Sequence, residues 1–189
     1  MELRDIQQIL QPIRNRIFAM VAKAIIKSTD DGNDTQTAKV EVFKEGLLDL
    51  VERYSQYGFE SRPKAEAEAI VLFRCGQYDQ GIVILTHDRR YRPKLEEGEA
   101  QVFDWNGSVV HLKKDKSILI ESAAGANIDL KADGSIYAKN KDGSIIDMKS
   151  GGDVNVEAVA NISIKDGNGN EIKTNATQVD INGNLTVDI

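Results

Sequence analysis

The fold is decided by a repetitive stretch that begins SILIESAAGANIDLKADGSIYAKNKDGSIIDMKS at residues 117–150 and continues to Ile189. Short segments of alternating apolar and polar residues recur roughly every eight to ten residues, and turn sequences such as Asp133-Gly134 and Asp142-Gly143 separate them. A period of two between such turns predicts short β-strands joined by tight turns. Recurrence over this length predicts an array in which each repeat forms one thin layer.

Each repeat is too poor in apolar side chains to fold as an isolated ribbon. It offers about two or three inward apolar side chains, worth roughly 1.5–3 kcal/mol each when fully buried. Ordering one residue costs about 1–2 kcal/mol of backbone entropy, and a backbone hydrogen bond returns only about 0.5–1.5 kcal/mol. The apolar edge therefore needs a cover and the strand edges need partners. We expect an obligate homo-oligomeric β-helix in which identical copies wind around one axis.

The predicted core of this oligomer is the set of inward-facing apolar positions. These are Ile118, Ile120, Ile128, Leu130, Ile136, Ile146, Met148, Val154, Val156, Ile162, Ile164, Val179, Ile181, Leu185, Val187 and Ile189.

Composition divides the chain near residue 100. All three prolines and every arginine lie before Gly98, and beyond Trp105 the only aromatic residue is Tyr137. The net charge of −6 does not favour nucleic acid or an anionic membrane. No apolar run is long enough for a transmembrane helix, and the N-terminus lacks the pattern of a signal peptide. We therefore expect a protein made and kept in a cytoplasm, or one released by a route other than secretion.

The pattern predicts four regions. Residues 1–15 form a helical segment that Pro12 should break or kink, and that packs on a partner copy or on the domain. Residues 16–97 contain four or five strands, with 16–27 read as the first, which predicts a small closed barrel. Residues 98–116 form a connector hairpin around Asn106-Gly107. Residues 117–189 form the oligomeric β-helix.

No catalytic constellation stands out, and no cofactor is expected. His87 and His111 are interpreted as structural histidines, with a buried ion on the oligomer axis as the alternative for His111. Cys75 is interpreted as a small buried hydrophobic residue rather than a nucleophile. Asp166 begins a sequence that departs from a calcium loop and favours a plain turn. The basic connector at residues 89–92 invites a nucleic-acid interpretation, but salt bridges between subunits are preferred because the chain is acidic.

Several segments taken together resemble the Mu-like baseplate assembly protein, the central tail spike of contractile-tailed bacteriophages. They are YGFESRP at 57–63, DRRYRP at 88–93, Gly98-Glu99, the Asn106-Gly107 hairpin and VHL at 110–112. The resemblance implies a mainly β homotrimer. Its N-terminal part would be an oligonucleotide/oligosaccharide-binding (OB) type β-barrel, and its C-terminal part an intertwined triple-stranded β-helix that forms a prism.

The resemblance also implies a mechanical function without enzyme activity. The protein would sit in the virion tail baseplate, bound to the hub protein below the tail tube, and sheath contraction would drive it through the bacterial outer membrane. Some family members bind iron at the tip through His-x-His, but this chain has only His87 and His111, so no metal site is carried over. We therefore expect a separate protein to cap the tip, or a missing tip segment.

Three alternatives stay open. The first is the spike of a phage-tail-like bacteriocin or a secretion device, which sequence cannot separate from a phage spike. The second is a receptor- or glycan-binding fibre, which needs an exposed aromatic or pocketed distal domain. The third is a single-strand nucleic-acid-binding OB protein, although no nucleic-acid partner is expected.

Overall fold

The computed structural model describes residues 3–32, 34–42, 46–169, 171–175 and 178–182. The protein is mainly β, as the sequence predicts, and it divides into two compact units, Met1–Arg92 and Pro93–Ile189. The first unit contains helix α1 (Leu3–Ala19) and strands β1 (Val21–Asp30), β2 (Thr37–Val42), β3 (Gly46–Arg53), β4 (Glu68–Phe73) and β5 (Gly81–His87).

The five strands of the first unit close into a barrel in the order β1-β2-β3-β5-β4, which confirms the predicted closed barrel. Neighbouring strands are antiparallel except β3 and β5, which pair in parallel through Glu52 with Ile82 and Arg53 with Val83. Alternate residues of each strand point inward. The buried apolar residues are Ala24, Ile26, Ala38, Val40, Val42, Val51, Ala67, Ala69, Val71, Phe73 and Val83.

A buried arginine fixes the long loop that follows β3. Arg53 is only 9% exposed, and its guanidinium donates hydrogen bonds to the side chains of Gln36, Ser55, Glu60 and Ser61 and to the carbonyl of Ser61. Planar donors in a fixed fork suit such a cluster of oxygen acceptors. Glu60 and Ser61 of the YGFESRP segment therefore have a structural role in this barrel.

Helix α1 is longer than the sequence analysis expects. It runs through Pro12 and includes residues 16–19, which the sequence predicts to belong to the first strand. Pro12 is exposed, so the carbonyl that loses its backbone partner remains open to water, and the proline φ is compatible with a helix. Residues 46–53 form β3.

The C-terminal end of α1 is tied to the barrel at a glycine. The amide of Phe73 donates to the carbonyl of Met20 over 2.8 Å. A Cβ on Gly76 would lie 2.3 Å from the carbonyl oxygen of Arg16, and the φ of Gly76 is +70°. Only glycine allows this approach, because any other side chain would displace the backbone of α1.

Gly76→Ala is therefore expected to destabilise the barrel unit by about 2 kcal/mol, from left-handed backbone strain and displacement of the helix end. Chemical denaturation followed by circular dichroism measures the change. Gly58→Ala is the matched control, since Gly58 also has a positive φ (+84°) but open space around its Cβ. Equal losses for both variants would contradict the close approach to α1.

The second unit is an antiparallel meander. Seven strands form one sheet in chain order: β6 (Ala100–Phe103), β7 (Val109–Leu112), β8 (Ile118–Glu121), β9 (Asn127–Leu130), β10 (Ile136–Lys139), β11 (Ile145–Met148) and β12 (Val154–Glu157). A three-stranded sheet follows, formed by β13 (Ile162–Lys165), β14 (Glu171–Asn175) and β15 (Gln178–Asn182). The hairpin assigned to a connector thus supplies the first two strands of the larger sheet.

The seven strands start at intervals of nine residues, each with four strand residues and five turn residues. Every strand of this sheet pairs with its sequence neighbours in the same chain. The composition of the repeat predicts that copies of the chain pair the strand edges. Tight turns close each hairpin locally instead, so neighbouring strands of this sheet are paired within the chain, while the side-chain faces and the outer edges of β6 and β12 remain to be covered.

Candidate assembly surface

The seven-stranded sheet has one face that is apolar at every position. Register determines this: each strand pairs its first residue with the fourth of the next, and its second with the third. The residues that share this face, called the apolar face below, are Ala100, Val102, Val110, Leu112, Ile118, Ile120, Ile128, Leu130, Ile136, Ala138, Ile146, Met148, Val154 and Val156.

Within the described part of the chain, the apolar face is left largely uncovered. Its exposed members include Val102 at 58%, Leu112 at 48%, Ile146 at 42% and Val156 at 48%. A trough of about 1010 Å³ lies against it, lined by Ile128, Ile146, Val156 and their neighbours. A continuous exposed apolar surface of this kind marks an interaction site rather than a solvent face.

The opposite face, called the polar face below, carries nine polar and five apolar residues, and several of its polar side chains are better shielded than the apolar face. Asn127, Asp129, Asp147 and His111 are each partly buried, with Glu157 on the same face. His111 Nε2 lies 3.2 Å from Glu99 Oε2, and the backbone amides of Glu96 and Lys114 hold the pKa of the Glu99 carboxyl below its usual value. Asn127 Oδ1 and Asp129 Oδ1 are buried on this face without a hydrogen-bond partner among the described residues, so the polar face is only partly satisfied within its own chain.

Nine of the predicted core residues, Ile118 through Val156 in the list above, lie together on the apolar face. Ile162 and Ile164 lie in β13, and Ile162 lines the same trough. Val179 and Ile181 fall in β15, at register positions opposite Thr174 and Ile172. Leu185, Val187 and Ile189 lie outside the described residues.

Sequence reasoning missed five members of the apolar face: Ala100, Val102, Val110, Leu112 and Ala138. The first four lie in the hairpin that was assigned to a connector. The signal that identifies them is the nine-residue interval, which continues without a break from β12 back to β6.

The turns of the sheet repeat one geometry. In each of the six five-residue turns, the first amide donates to the fifth carbonyl and the fourth amide donates to the first carbonyl. The fourth residue has a positive φ, as in three-residue hairpin loops that end in a left-handed residue. That residue is Gly107, Gly125, Gly134, Gly143 or Gly152 in five turns and Lys116, with φ 75°, in the sixth.

Aspartate carboxylates accept hydrogen bonds in three of these turns, and in two of them the aspartate bonds both groups of a serine. Asp115 accepts hydrogen bonds from the hydroxyl and amide of Ser117, and Asp133 does the same with Ser135. These bonds hold the pKa values of both aspartates below their usual values. The contribution of each bond is therefore present at neutral pH and is lost only as the pH falls through the lowered pKa.

Lys116→Gly is expected to raise the free energy of unfolding by about 1 kcal/mol, because glycine removes the strain of a left-handed lysine. The reverse change at the equivalent position, Gly134→Lys, is expected to lower it by a similar amount. Thermal unfolding of both variants measures the effect. A shift in the same direction for both would contradict the shared turn geometry.

The residues singled out for chemistry do not converge. Among the described residues, no group of three or more His, Cys, Asp or Glu side chains could hold a metal ion. His87 is exposed at the end of β5. Cys75 is exposed with φ 54°, so its interpretation as a buried hydrophobic residue is wrong: a three-residue 3-10 turn places it outside the strand. Asp166 Oδ1 accepts from the amide of Asn168 in an ordinary turn.

Two arginines of the basic connector have partners within their own chain. Arg89 Nε lies 3.0 Å from Glu68 Oε1, and Arg90 pairs with Asp88 at 2.6 Å. Arg90 also donates to the carbonyl of Ala65. These contacts fasten the connector to the barrel.

Of the described helices, none has the length and apolar character needed to cross a bilayer.

Comparison with known proteins gives one matching family model and two related proteins. The family model described as Bacteriophage Mu Gp45, N-terminal, matches residues 23–90. The "Baseplate puncturing device gp45" of Escherichia phage Mu is 35% identical over 116 residues, which cover 61% of this chain and 59% of that protein. The "Mu-like prophage FluMu protein gp45" of Haemophilus influenzae is 25% identical over 119 residues, covering 62% of this chain and 65% of that protein.

The matches thus extend over less than two thirds of each relative's length. A solved structure, the wild-type TCP10 domain of Danio rerio CPAP, aligns over 78% of each chain with 15% identity and a TM-score of 0.29. That score is too low to support an argument about the fold. Residues 23–90 match the model of the Mu Gp45 N-terminal family, and together with the two relatives this match confirms the resemblance to Mu-like baseplate proteins.

Proposed function

We propose that this protein is the structural, non-enzymatic central spike of a contractile-tail baseplate, and that it assembles as a homotrimer. The observation that carries the proposal is the uncovered apolar face of the seven-stranded sheet. The relative named a baseplate puncturing device supports a location in the virion tail baseplate. It also supports a role in puncturing, which for this chain means passage through the bacterial outer membrane when the sheath contracts.

Three copies suit the dimensions of the sheet. Strands of four residues are about 13 Å long, and seven strands at about 4.8 Å spacing extend about 29 Å. Three such ribbons can form the sides of a narrow prism with their apolar faces inward and their polar faces in water. This arrangement is the proposed form of the triple-stranded β-helix. It covers the face that each chain leaves exposed without requiring backbone hydrogen bonds between chains.

A prism of this kind is stiff for a physical reason. Its strands are hydrogen-bonded along the ribbon, and bending the ribbon would open the apolar interior to water at about 25 cal/mol per Å². Stiffness is the property that a penetrating spike needs. No cofactor takes part in this mechanism, and a separate tip-capping protein remains part of the proposal.

The barrel is proposed to be of the OB type and to bind the baseplate hub below the tail tube. Its strand order, β1-β2-β3-β5-β4, and the parallel pairing of β3 with β5 support this assignment. The in-chain partners of Arg89 and Arg90 and the net charge of −6 favour a structural role for the barrel over binding of single-stranded nucleic acid.

Contractile particles from the strain that carries the gene provide the test. Deleting the gene should remove a threefold density at the centre of the baseplate in cryo-EM maps and abolish killing or infection, and the wild-type gene should restore both. Particles that lack the protein yet keep the density and activity would overturn the proposal. DNA packaged with the particles would identify a phage, and its absence would identify the spike of a tail-like bacteriocin or secretion device.

A further inference from the structure

Helix α1 presents a second uncovered apolar surface, in the barrel unit. Ile6, Leu10, Ile13 and Ile17 are large apolar residues of this helix, yet they are 38–60% exposed, and Phe18 is 76% exposed. The helix meets the barrel unit near its C-terminal end, where Gly76 approaches Arg16. Most of its apolar face has no cover in the described part of the chain.

The spacing of these residues specifies what covers them. Leu3, Ile6, Leu10, Ile13, Ile17 and Met20 alternate at intervals of three and four, which is the a and d pattern of a heptad repeat. A helix that lies on an irregular surface has no need of strict heptad spacing. A seam with this period meets an identical seam, because the knobs of one helix fit the holes of another.

The residue types favour more than two strands. Leucine at a with isoleucine at d, as in Leu10 and Ile13, shifts coiled coils toward trimers and tetramers. Ile9 at position g is also exposed, at 57%. Three apolar positions per heptad make a face wider than the seam of a two-stranded coil.

The side chains at heptad positions g and e are compatible with helices that run parallel. In a parallel coil, residue g contacts residue e of the following heptad on the next helix, which brings Ile9 to Arg14. The apolar stem of an arginine can cover an isoleucine while its guanidinium stays in water. No like charges meet at this contact. Pro12 occupies the outward position c, so its ring does not enter the seam.

We propose that the α1 helices of three copies form a parallel coiled coil. The inference rests on the homotrimer proposed above and adds a second, independent contact between the same copies. A lipid surface is the less suitable occupant, because the polar side of α1 carries amides, Gln7, Gln8, Gln11 and Asn15, rather than many basic residues.

Spin labels on the full-length protein test the coil. Gln8 and Asn15 both occupy the outward position f, and labels would be placed singly at each in a Cys75→Ser background, because Cys75 is exposed. A parallel, in-register coil predicts one narrow interspin distance of about 25 Å at both positions. Helices that splay apart or run antiparallel would give different or broad distances at the two positions.

Two variants sharpen the result. Ile13→Asp, in the seam, should broaden the distance at Gln8, whereas Gln11→Asp, at outward position b, should leave it unchanged. The mass of each labelled protein is measured in the same sample. A trimer with unequal or broad wild-type distances, or with Ile13→Asp indistinguishable from Gln11→Asp, would overturn the coiled coil alone. A monomeric mass would overturn the homotrimer itself.

Discussion

Ile146→Asp is expected to abolish assembly of the full-length protein. Ile146 lies on the apolar face, where it pairs with Ala138 on one side and Val156 on the other. In a closed prism, three carboxylates would meet in an interior without cationic partners, at a cost of about 3–5 kcal/mol for each buried, unpaired charge. Sedimentation velocity should show the variant as a single chain where the wild type is a trimer.

Asn155→Asp is the matched control for this experiment. Asn155 lies on the adjacent strand but on the polar face, and it is exposed. The same new charge should stay in water there and leave the assembly intact. Loss of the trimer in both variants, or in neither, would mean that the apolar face is not the assembly surface.

Arg53→Met is expected to lower the free energy of unfolding by about 3 kcal/mol. The change keeps most of the side-chain volume but removes every donor to Gln36, Ser55, Glu60 and Ser61. Leaving shielded oxygens without their charged donor costs more free energy than losing an ordinary surface hydrogen bond. Urea denaturation monitored by circular dichroism measures the change.

Arg62→Met tests whether any arginine in this loop would behave the same way. Arg62 also makes two hydrogen bonds, to the hydroxyl and the carbonyl of Thr29, but it is exposed. Its loss should cost less than about 1 kcal/mol. If the two variants were equally destabilised, the shielded cluster around Arg53 would not be what holds the loop.

The sequence predicted the apolar face well because the signal is local. Period-two alternation sets the side of the sheet for each residue, so Ile120, Ile128 and Ile146 could be placed together without knowledge of the topology. Whether the strands pair within one chain or between chains could not be predicted. Estimates of entropy and burial show that each strand needs a partner, but they do not show which chain supplies it. The five-residue turns decide this point in favour of the same chain.

The ends of the helix and of the repeat region were harder to predict than the side of the sheet on which each residue lies. Asn106-Gly107 reads as a two-residue hairpin turn, which made residues 98–116 look separate from the repeat, but Gly107 has the same left-handed role as Gly125 and Gly134. The apolar run at residues 16–27 fits the end of a helix as well as a strand. In the structure the helix continues to Ala19, and its last turns include the close approach of Arg16 to Gly76. This is a tertiary contact, which a local sequence pattern does not show.

The mass of the full-length protein at nanomolar concentration tests the central claim most directly. Mass photometry should give three times the 20.9 kDa of one chain, and hydrogen exchange should show slow amides throughout β6–β12. A mass of 20.9 kDa with the same slow exchange would mean that the repeat sheet is stable with its apolar face in water. That result would contradict the homotrimeric spike.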